Sequence, residues 1–377
     1  METSKYLKKD LPHNLKTKNM AKSKIECKYG FPLFTQNVST DYILKNKRIR
    51  VSDLWSFWNY TIRMYHKHKR GVDKDFLLSF LDQSQYFYQV AEKAPINSQP
   101  LLYYYSFLNL AKVIINMKNY LGDRVAYYHG VETNVNSTTT LDTANLSITE
   151  YNPSISKYSV AFEFMKIMGD IFMPPRPHLV NVKEAFKACI GIHRTYCEIT
   201  NEHEIYHRLI DPMLYKDGKE LIFEGEIKDC NHGLCLALQG KGYTITTKTI
   251  GRNTKFYLNE RFNMNSHYTP NRNDYWNLSN KLIQKGLWGY SDGNEYRIYI
   301  TNNNLRYSSA SIIYIIMFFL GSITRYHPYL FKGLLSEKNL WLISEFLKTQ
   351  PMQFLHIVTS RIIGGTVLKP RTSNILI

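Results

Sequence analysis

Two apolar stretches, Leu101–Met117 and Ala310–Ile323, constrain the fold more than any other feature of the chain. Neither makes a convincing membrane span. The first is interrupted by Asn109 and Lys112 and carries three tyrosines, and the second covers only about three-quarters of a bilayer crossing. A helix that is apolar almost all round has to be enclosed by protein. Both stretches therefore read as buried core helices, one from each half of the chain, and no membrane partner is expected.

At 377 residues the chain is long enough for two average domains or one large one. Its apolar content of 44% excludes wholesale disorder. Formal charge is +17, from 48 Lys and Arg against 31 Asp and Glu. Such a surplus favours anionic partners through steering and counterion release, although a Lys-rich composition produces part of it without any partner. The 29 tyrosines suit either a core with polar edges or a surface on which flat rings stack. Five cysteines form no regular framework, and residues 1–28 are basic and polar without an apolar core of the signal-peptide kind. Reduced thiols and a cytoplasmic location are the expectation.

Along the chain, residues 1–50 form a basic arm that ends in Lys45, Lys47, Arg48 and Arg50. Residues 51–130 are helical. Ser52 serves as the expected N-cap of a first helix with Leu54, Trp55, Trp58, Ile62 and Tyr65 on its buried face. Its exit is crowded with cations: Arg63, His66, Lys67, His68, Lys69 and Arg70. Cations suit a helix C-terminus, but this number exceeds what a dipole needs, so Arg63, Lys67, Lys69 and Arg70 are candidate phosphate contacts, with Lys45, Lys47 and Arg48 beside them. Helices are expected over residues 75–93 and 101–118, followed by a polar surface loop over 130–150. Alternation of Tyr158, Val160, Phe162 and Phe164 predicts a strand, as do 221–224, 243–250 and 297–300, with a helix over 182–200 between them. From Ser309 the pattern returns to helix, over 309–325, 338–348 and 351–363. The predicted fold is α+β: a mainly helical core built from 51–130 and 309–377, which pack together, and a loop and β-containing middle over 131–308.

Residues in this pass resemble a known family. Ser84-Gln85-Tyr86-Phe87, Ile96 through Tyr105 (INSQPLLYYY), Leu108-Asn109-Leu110-Ala111-Lys112 and His129-Gly130-Val131 look like the N-terminal signature of the YaaC-like bacterial proteins. Ile316 through Ile323 (IMFFLGSI) followed by Arg325-Tyr326 resembles the second signature of that family. The resemblance implies a cytoplasmic protein without an evident cofactor, associated with phage defence or restriction, and no activity that can be carried over. Its apolar positions are explained by packing. His129 and Arg325 are its polar positions, and a polar locus formed by the two is the expectation.

Several fragments resemble catalytic motifs. His203-Glu204-Ile205-Tyr206-His207 fits H-E-x-x-H, which on a helix would place two imidazoles on one face for zinc; Asp211-Pro212 cuts the helix short, so an exposed polar helix face is the expectation. Cys230 and Cys235 with His232 between them lack a second ligand pair, and no metal site is expected. Gln239-Gly240-Lys241-Gly242 reads as a hairpin turn. Arg124 and His129 satisfy the R-x4-H pattern of the HEPN ribonucleases, in which Arg stabilises a phosphorane and His moves a proton; Arg63 and His68 satisfy it too, which shows how readily a basic chain generates it. Three functional expectations follow. The first is a nucleic-acid-binding or accessory component, with DNA or RNA as its partner and room for a protein partner in a larger complex. The second is a metal-independent HEPN-type ribonuclease using Arg124 and His129. The third is a non-catalytic interaction scaffold.

Overall fold

A computed structural model describes residues 23–24, 48–68, 73–119, 126–150, 157–170, 172, 177–251, 253–264, 272–291, 296–301, 305, 307–363 and 366–368. The architecture is α+β, with two hydrophobic cores. The larger core is helical. Its centre is the pair α3 (Gln99–Asn119) and α9 (Ser309–Tyr326), around which α1 (Leu54–His68), α2 (Lys74–Lys93), α4 (Val160–Met168) and α11 (Glu337–Ile363) pack. In α9 every residue from Ala310 to Leu320 is buried. It is long and apolar enough to cross a membrane, but with 72% of it buried inside the protein it serves as a core helix. Phe107 of α3 stacks on Phe354 of α11 with centroids 3.9 Å apart, which ties the two ends of the chain together. Short elements close this layer: α5 (Val182–Ala188), α6 (His193–Thr200), α10 (Pro328–Leu334), the parallel pair of β2 (Arg48–Arg50) and β14 (Thr366–Leu368), and the parallel pair of β3 (Tyr127–Tyr128) and β6 (Tyr158–Ser159).

The smaller core lies under an antiparallel sheet. In order, its strands are β10 (Ile245–Ile250), β11 (Asn253–Asn263), β9 (Glu220–Ile227), β8 (Tyr206–Asp217), β13 (Tyr296–Thr301) and β12 (Leu287–Ser291), with β1 (Ser23–Lys24) pairing to the far end of β8. Leu214, Phe223 and Leu258 on the sheet meet Leu238 of α7 (His232–Gly240) and Tyr275, Leu278 and Leu282 of α8 (Arg272–Gln284). The opposite face carries cross-strand ion pairs, Lys248 with Glu224 at 3.0 Å and Arg261 with Glu220 at 2.9 Å, as a solvated sheet face requires.

Five local expectations need correction. The first helix is capped by Asp53 and not Ser52: its carboxylate accepts from the Trp55 amide at 2.9 Å and the Ser56 amide at 3.2 Å. Residues 160–168 are a helix and not a strand. The Ser159 hydroxyl accepts from the Phe162 amide, and seven of the nine residues of α4 are buried, so the run carries no period that separates helix from strand. The helix expected over 182–200 breaks into α5 and α6 at 189–192. There Gly191 lies so close to Gln350 that an added Cβ would sit 2.3 Å from its amide nitrogen. The polar loop 130–150 contains β4 (Val131–Thr133) and β5 (Asn145–Ile148), which form a three-stranded sheet with β7 (His178–Asn181). Finally, Pro351 does not divide the last helix. α11 runs through it, because Phe346, Leu347, Phe354, Leu355 and Val358 bury a continuous face that outweighs one missing amide hydrogen bond.

Candidate functional site

The signature residues meet at one end of the α3–α9 pair. Gly321 lets the two helices approach: a Cβ there would stand 3.0 Å from Cβ of Tyr104 and 3.3 Å from the Pro100 carbonyl. Gly130 is the second requirement. Its φ is +77°, and an added Cβ would overlap the Ser159 hydroxyl that caps α4. These two glycines set α3, the turn after β3 and the last turns of α9 around a cleft of ≈ 300 Å³. His129 and Arg325 both line it, together with Tyr104, Tyr105, Phe318 and Tyr326. The volume sits at the small end of the range for small-molecule sites.

Each ring here is held by a neighbour. The Tyr104 hydroxyl hydrogen-bonds Nδ1 of His129, and the Tyr104 ring packs edge-on against Phe318 with centroids 5.3 Å apart. Burial holds the Tyr104 hydroxyl well above the usual tyrosine range, so it stays protonated. His129 keeps one side open to solvent, yet enclosure of the rest of its ring lowers its pKa, and the Lys112 and Arg325 cations lower it further. The imidazole is therefore neutral at neutral pH. With Nδ1 engaged, Nε2 has no partner among the described residues. Burial also lowers the pKa of Lys112, whose ammonium lies 4.9 Å from the centre of the Phe80 ring.

Arg325 marks the mouth of the cleft, in the last turn of α9 where a cation suits the helix C-terminus. It donates to the Tyr105 hydroxyl, and its guanidinium lies 4.9 Å from the centre of the Tyr326 ring. Tyr105 packs on Phe87 at 5.5 Å, and Phe87 on Tyr86 at 6.1 Å. The result is a strip running Tyr86, Phe87, Tyr105, Arg325, Tyr326. Both of its ends are open, Tyr86 at 65% and Tyr326 at 62% exposure.

The other candidate residues are scattered or lie outside the described residues. Arg63 is exposed on α1 and donates from Nε to Asn59 at 2.6 Å. Lys67 lies within α1 and Arg48 within β2, but their side chains fall outside the described residues, as do Lys45, Lys47, Lys69, Arg70 and Arg124 altogether. His129 follows strand β3 and lies on no helix, so it lacks the helical setting in which R-x4-H pairs act. The expected helix at His203–His207 is absent. His203 and Glu204 lie in a connection, His207 is in β8, and Asp211-Pro212 forms a bulge in that strand between Ile210 and Met213. Extended backbone separates the two imidazoles that a helix would have stacked one turn apart. Gln239-Gly240-Lys241-Gly242 ends α7 and forms no hairpin. Among the described residues, no group of three or more His, Cys, Asp or Glu side chains gathers to hold a metal. A void of ≈ 40 Å³ between the two cores, lined by Trp288 and Arg361 among others, has room for a water molecule or two and no more.

Tyr104, Tyr105, Glu132 and His327 also line the cleft, and sequence reasoning missed them as site residues. The tyrosine run 103–105 carried no assignment of its own beyond the central helix it belongs to. Tyr103 does pack against Tyr88, but the next two positions turn their hydroxyls to His129 and Arg325. Consecutive residues on a helix point about 100° apart, so although Tyr103 and Tyr104 are both buried in the same core, the three rings face different neighbours.

The fold and this cleft define a helical α+β protein with an aromatic, cation-edged surface site. Within that class the chain belongs to the YaaC-like protein family, whose model matches residues 33–362. No curated protein and no solved structure matches it.

Proposed function

We propose that the protein binds single-stranded nucleic acid, as a non-catalytic or accessory component, along the strip from Tyr86 to Tyr326. The observation that carries this reading is a run of neighbouring rings, exposed at Tyr86 and Tyr326 and half-buried at Phe87 and Tyr105 between them, with a guanidinium seated on Tyr326. Every base has a face that stacks on a tyrosine, and every nucleotide brings a phosphate for Arg325. The exposed Tyr329, at 84%, and Lys332 continue the same chemistry onto α10. The net charge of +17 would speed encounter with any polyanion but selects none.

Labelled single- and double-stranded DNA and RNA, titrated across a salt series, test this. Single strands should bind more tightly than duplexes. Tyr326→Ala should weaken single-strand binding by about 1–3 kcal/mol, and Arg325→Ala should lower the salt slope by about 0.7. Binding of duplex and single strand with equal affinity, unchanged by either substitution, would refute the strip as the contact surface. A second reading, an interaction scaffold, is favoured by exposed Leu340 and Trp341 on α11; it predicts that Trp341→Ala abolishes capture of a protein partner and leaves nucleic-acid binding intact.

A further inference from the structure

We infer that the cleft behind the strip receives one unstacked nucleobase, with the phosphate of that nucleotide held outside at Arg325. The inference rests on the single-strand reading and goes beyond it, because it assigns a base pocket and a base preference where stacking alone has neither.

The interior of the cleft suits a flat, uncharged, polar-edged ring. Its walls are Leu101, Val131, Phe318 and Tyr104, three of them buried apolar or aromatic side chains, and Tyr104 and Phe318 meet nearly at right angles (79°). A ring entering there replaces water on aromatic and aliphatic surface, which favours binding without any charge. Polar side chains share the lining with these walls: His129, Glu132, Thr133, Ser322 and His327, with Arg325 and Tyr326 exposed at the edge. Polar groups beside an apolar wall can orient a heterocycle by its edge.

The charges exclude the opposite arrangement, with phosphate inside and base outside. Among the lining residues the permanent cation is Arg325, which is exposed at the edge, so a phosphate paired with it stays at the mouth and leaves the interior to the base. Glu132 lines the same cleft and would repel a second anion. The guanidinium of Arg325 lies at the mouth, where its bond to the Tyr105 hydroxyl and its position over Tyr326 hold it toward the strip. A nucleotide seated with its base inward puts its phosphate next to that guanidinium, in register with a strand lying along the rings. Glu132 adds a preference. A carboxylate only accepts, so it favours bases with an exocyclic amino group, adenine, guanine and cytosine, over uracil and thymine, whose ring edges carry carbonyls on both sides of one N–H.

The full chain should be titrated calorimetrically with AMP, GMP, CMP, UMP, ribose 5-phosphate and inorganic phosphate, beside a single-stranded oligonucleotide. The expected result is binding of AMP, GMP and CMP, with UMP about tenfold weaker and the two base-free phosphates weaker still. Glu132→Gln, an exposed change that leaves the fold alone, should narrow the gap between UMP and the others. Ser322→Trp should fill the cleft and abolish mononucleotide binding; circular dichroism would establish that it folds, and Glu132→Gln carries the test if it does not. Ribose 5-phosphate binding as well as AMP would overturn the base pocket in favour of a simple anion site. Oligonucleotide binding with no mononucleotide binding would overturn the pocket and leave the strip standing. Mononucleotide binding with no oligonucleotide binding would uphold the pocket and overturn the strip, and failure of both would overturn the two together.

Discussion

Asp170→Asn should stabilise the protein above neutral pH, although it removes a carboxylate from beneath the N-terminus of the most deeply buried helix. Asp170 is 4% exposed and accepts from the Ser308 amide at 2.6 Å, from the Ser308 hydroxyl at 3.4 Å and from the Ser311 hydroxyl. Burial pushes its pKa from 3.8 up to about 7, and the serine hydrogen bonds and the charge of Arg361 offset only part of that rise. For an acid with a raised pKa, the folded state holds a proton that the unfolded state has released. Stability is then fully present below about pH 4, declines as pH rises through the interval to about 7, and stays lower above it. Over the whole interval this amounts to about 4 kcal/mol, and between pH 5 and pH 8 to about 2–3 kcal/mol. Asparagine keeps an acceptor for the Ser308 amide and offers its NH2 to hydroxyls whose hydrogens can rotate to accept it. Urea unfolding of both proteins at pH 5 and pH 8 provides the measurement. The variant should match the parent at pH 5 to within about 1 kcal/mol and exceed it at pH 8 by about 2–3 kcal/mol. A variant that is less stable at pH 8 than at pH 5, relative to the parent, would refute the reasoning. The helix dipole, Arg361 and the serine donors would then outweigh burial.

Two further changes probe the scaffold around the site. Gly130→Ala combines a left-handed backbone with displacement of the Ser159 cap and should cost about 2–4 kcal/mol by urea unfolding; because the cap is already lost, adding Ser159→Ala should cost less than its own value of about 1 kcal/mol. Lys285→Met strips the partner from Glu260, a 3%-exposed side chain that also accepts from the Thr244 amide, and should destabilise the β core by about 2–4 kcal/mol, while Lys285→Arg retains most of the stability.

The helices α3 and α9 were legible because a mainly apolar run longer than about ten residues, interrupted in α3 by isolated polar residues such as Asn109 and Lys112, has no other globular solution than a buried helix. Strand β13 was legible from its alternating burial, and β9 from the short apolar run Leu221–Phe223, which is buried throughout. α4 was not. Val160, Phe162 and Phe164 alternate with Ala161, Glu163 and Met165, but both sets are largely buried, so the pattern records total enclosure and not a period. The β8 strand was hidden by Asp211-Pro212. That dipeptide normally stops a regular element, and here a bulge absorbs it, with Asp211 at a φ of +45° and the pairing resumed at Met213. The polar segment after Gly130 was read as a loop because its strands are short and edge the helical layer, where only Val131, Leu146, Ile148 and Val180 need to be apolar.

The site was legible only at its polar corners. His129 and Arg325 stood out as the polar positions of the two segments that resemble the YaaC-like signatures, and the structure sets both on one cleft. The residues that give the cleft its character are tyrosines. A tyrosine in a core helix gives no sign in sequence of which way its hydroxyl faces, since ring and hydroxyl have opposite preferences on one side chain. What separates Tyr103 from Tyr104 and Tyr105 is the helical angle between them together with the glycine at 321, which brings α9 against the Tyr104 side and sets Arg325, one turn further on, against Tyr105. That dependence gives the site a testable mechanical link. Gly321→Leu would push α9 away from Tyr104, so Arg325 would lose its seat on the Tyr105 hydroxyl, and single-strand binding and helical packing should weaken together. Arg325→Ala, in contrast, should weaken binding and leave the packing untouched.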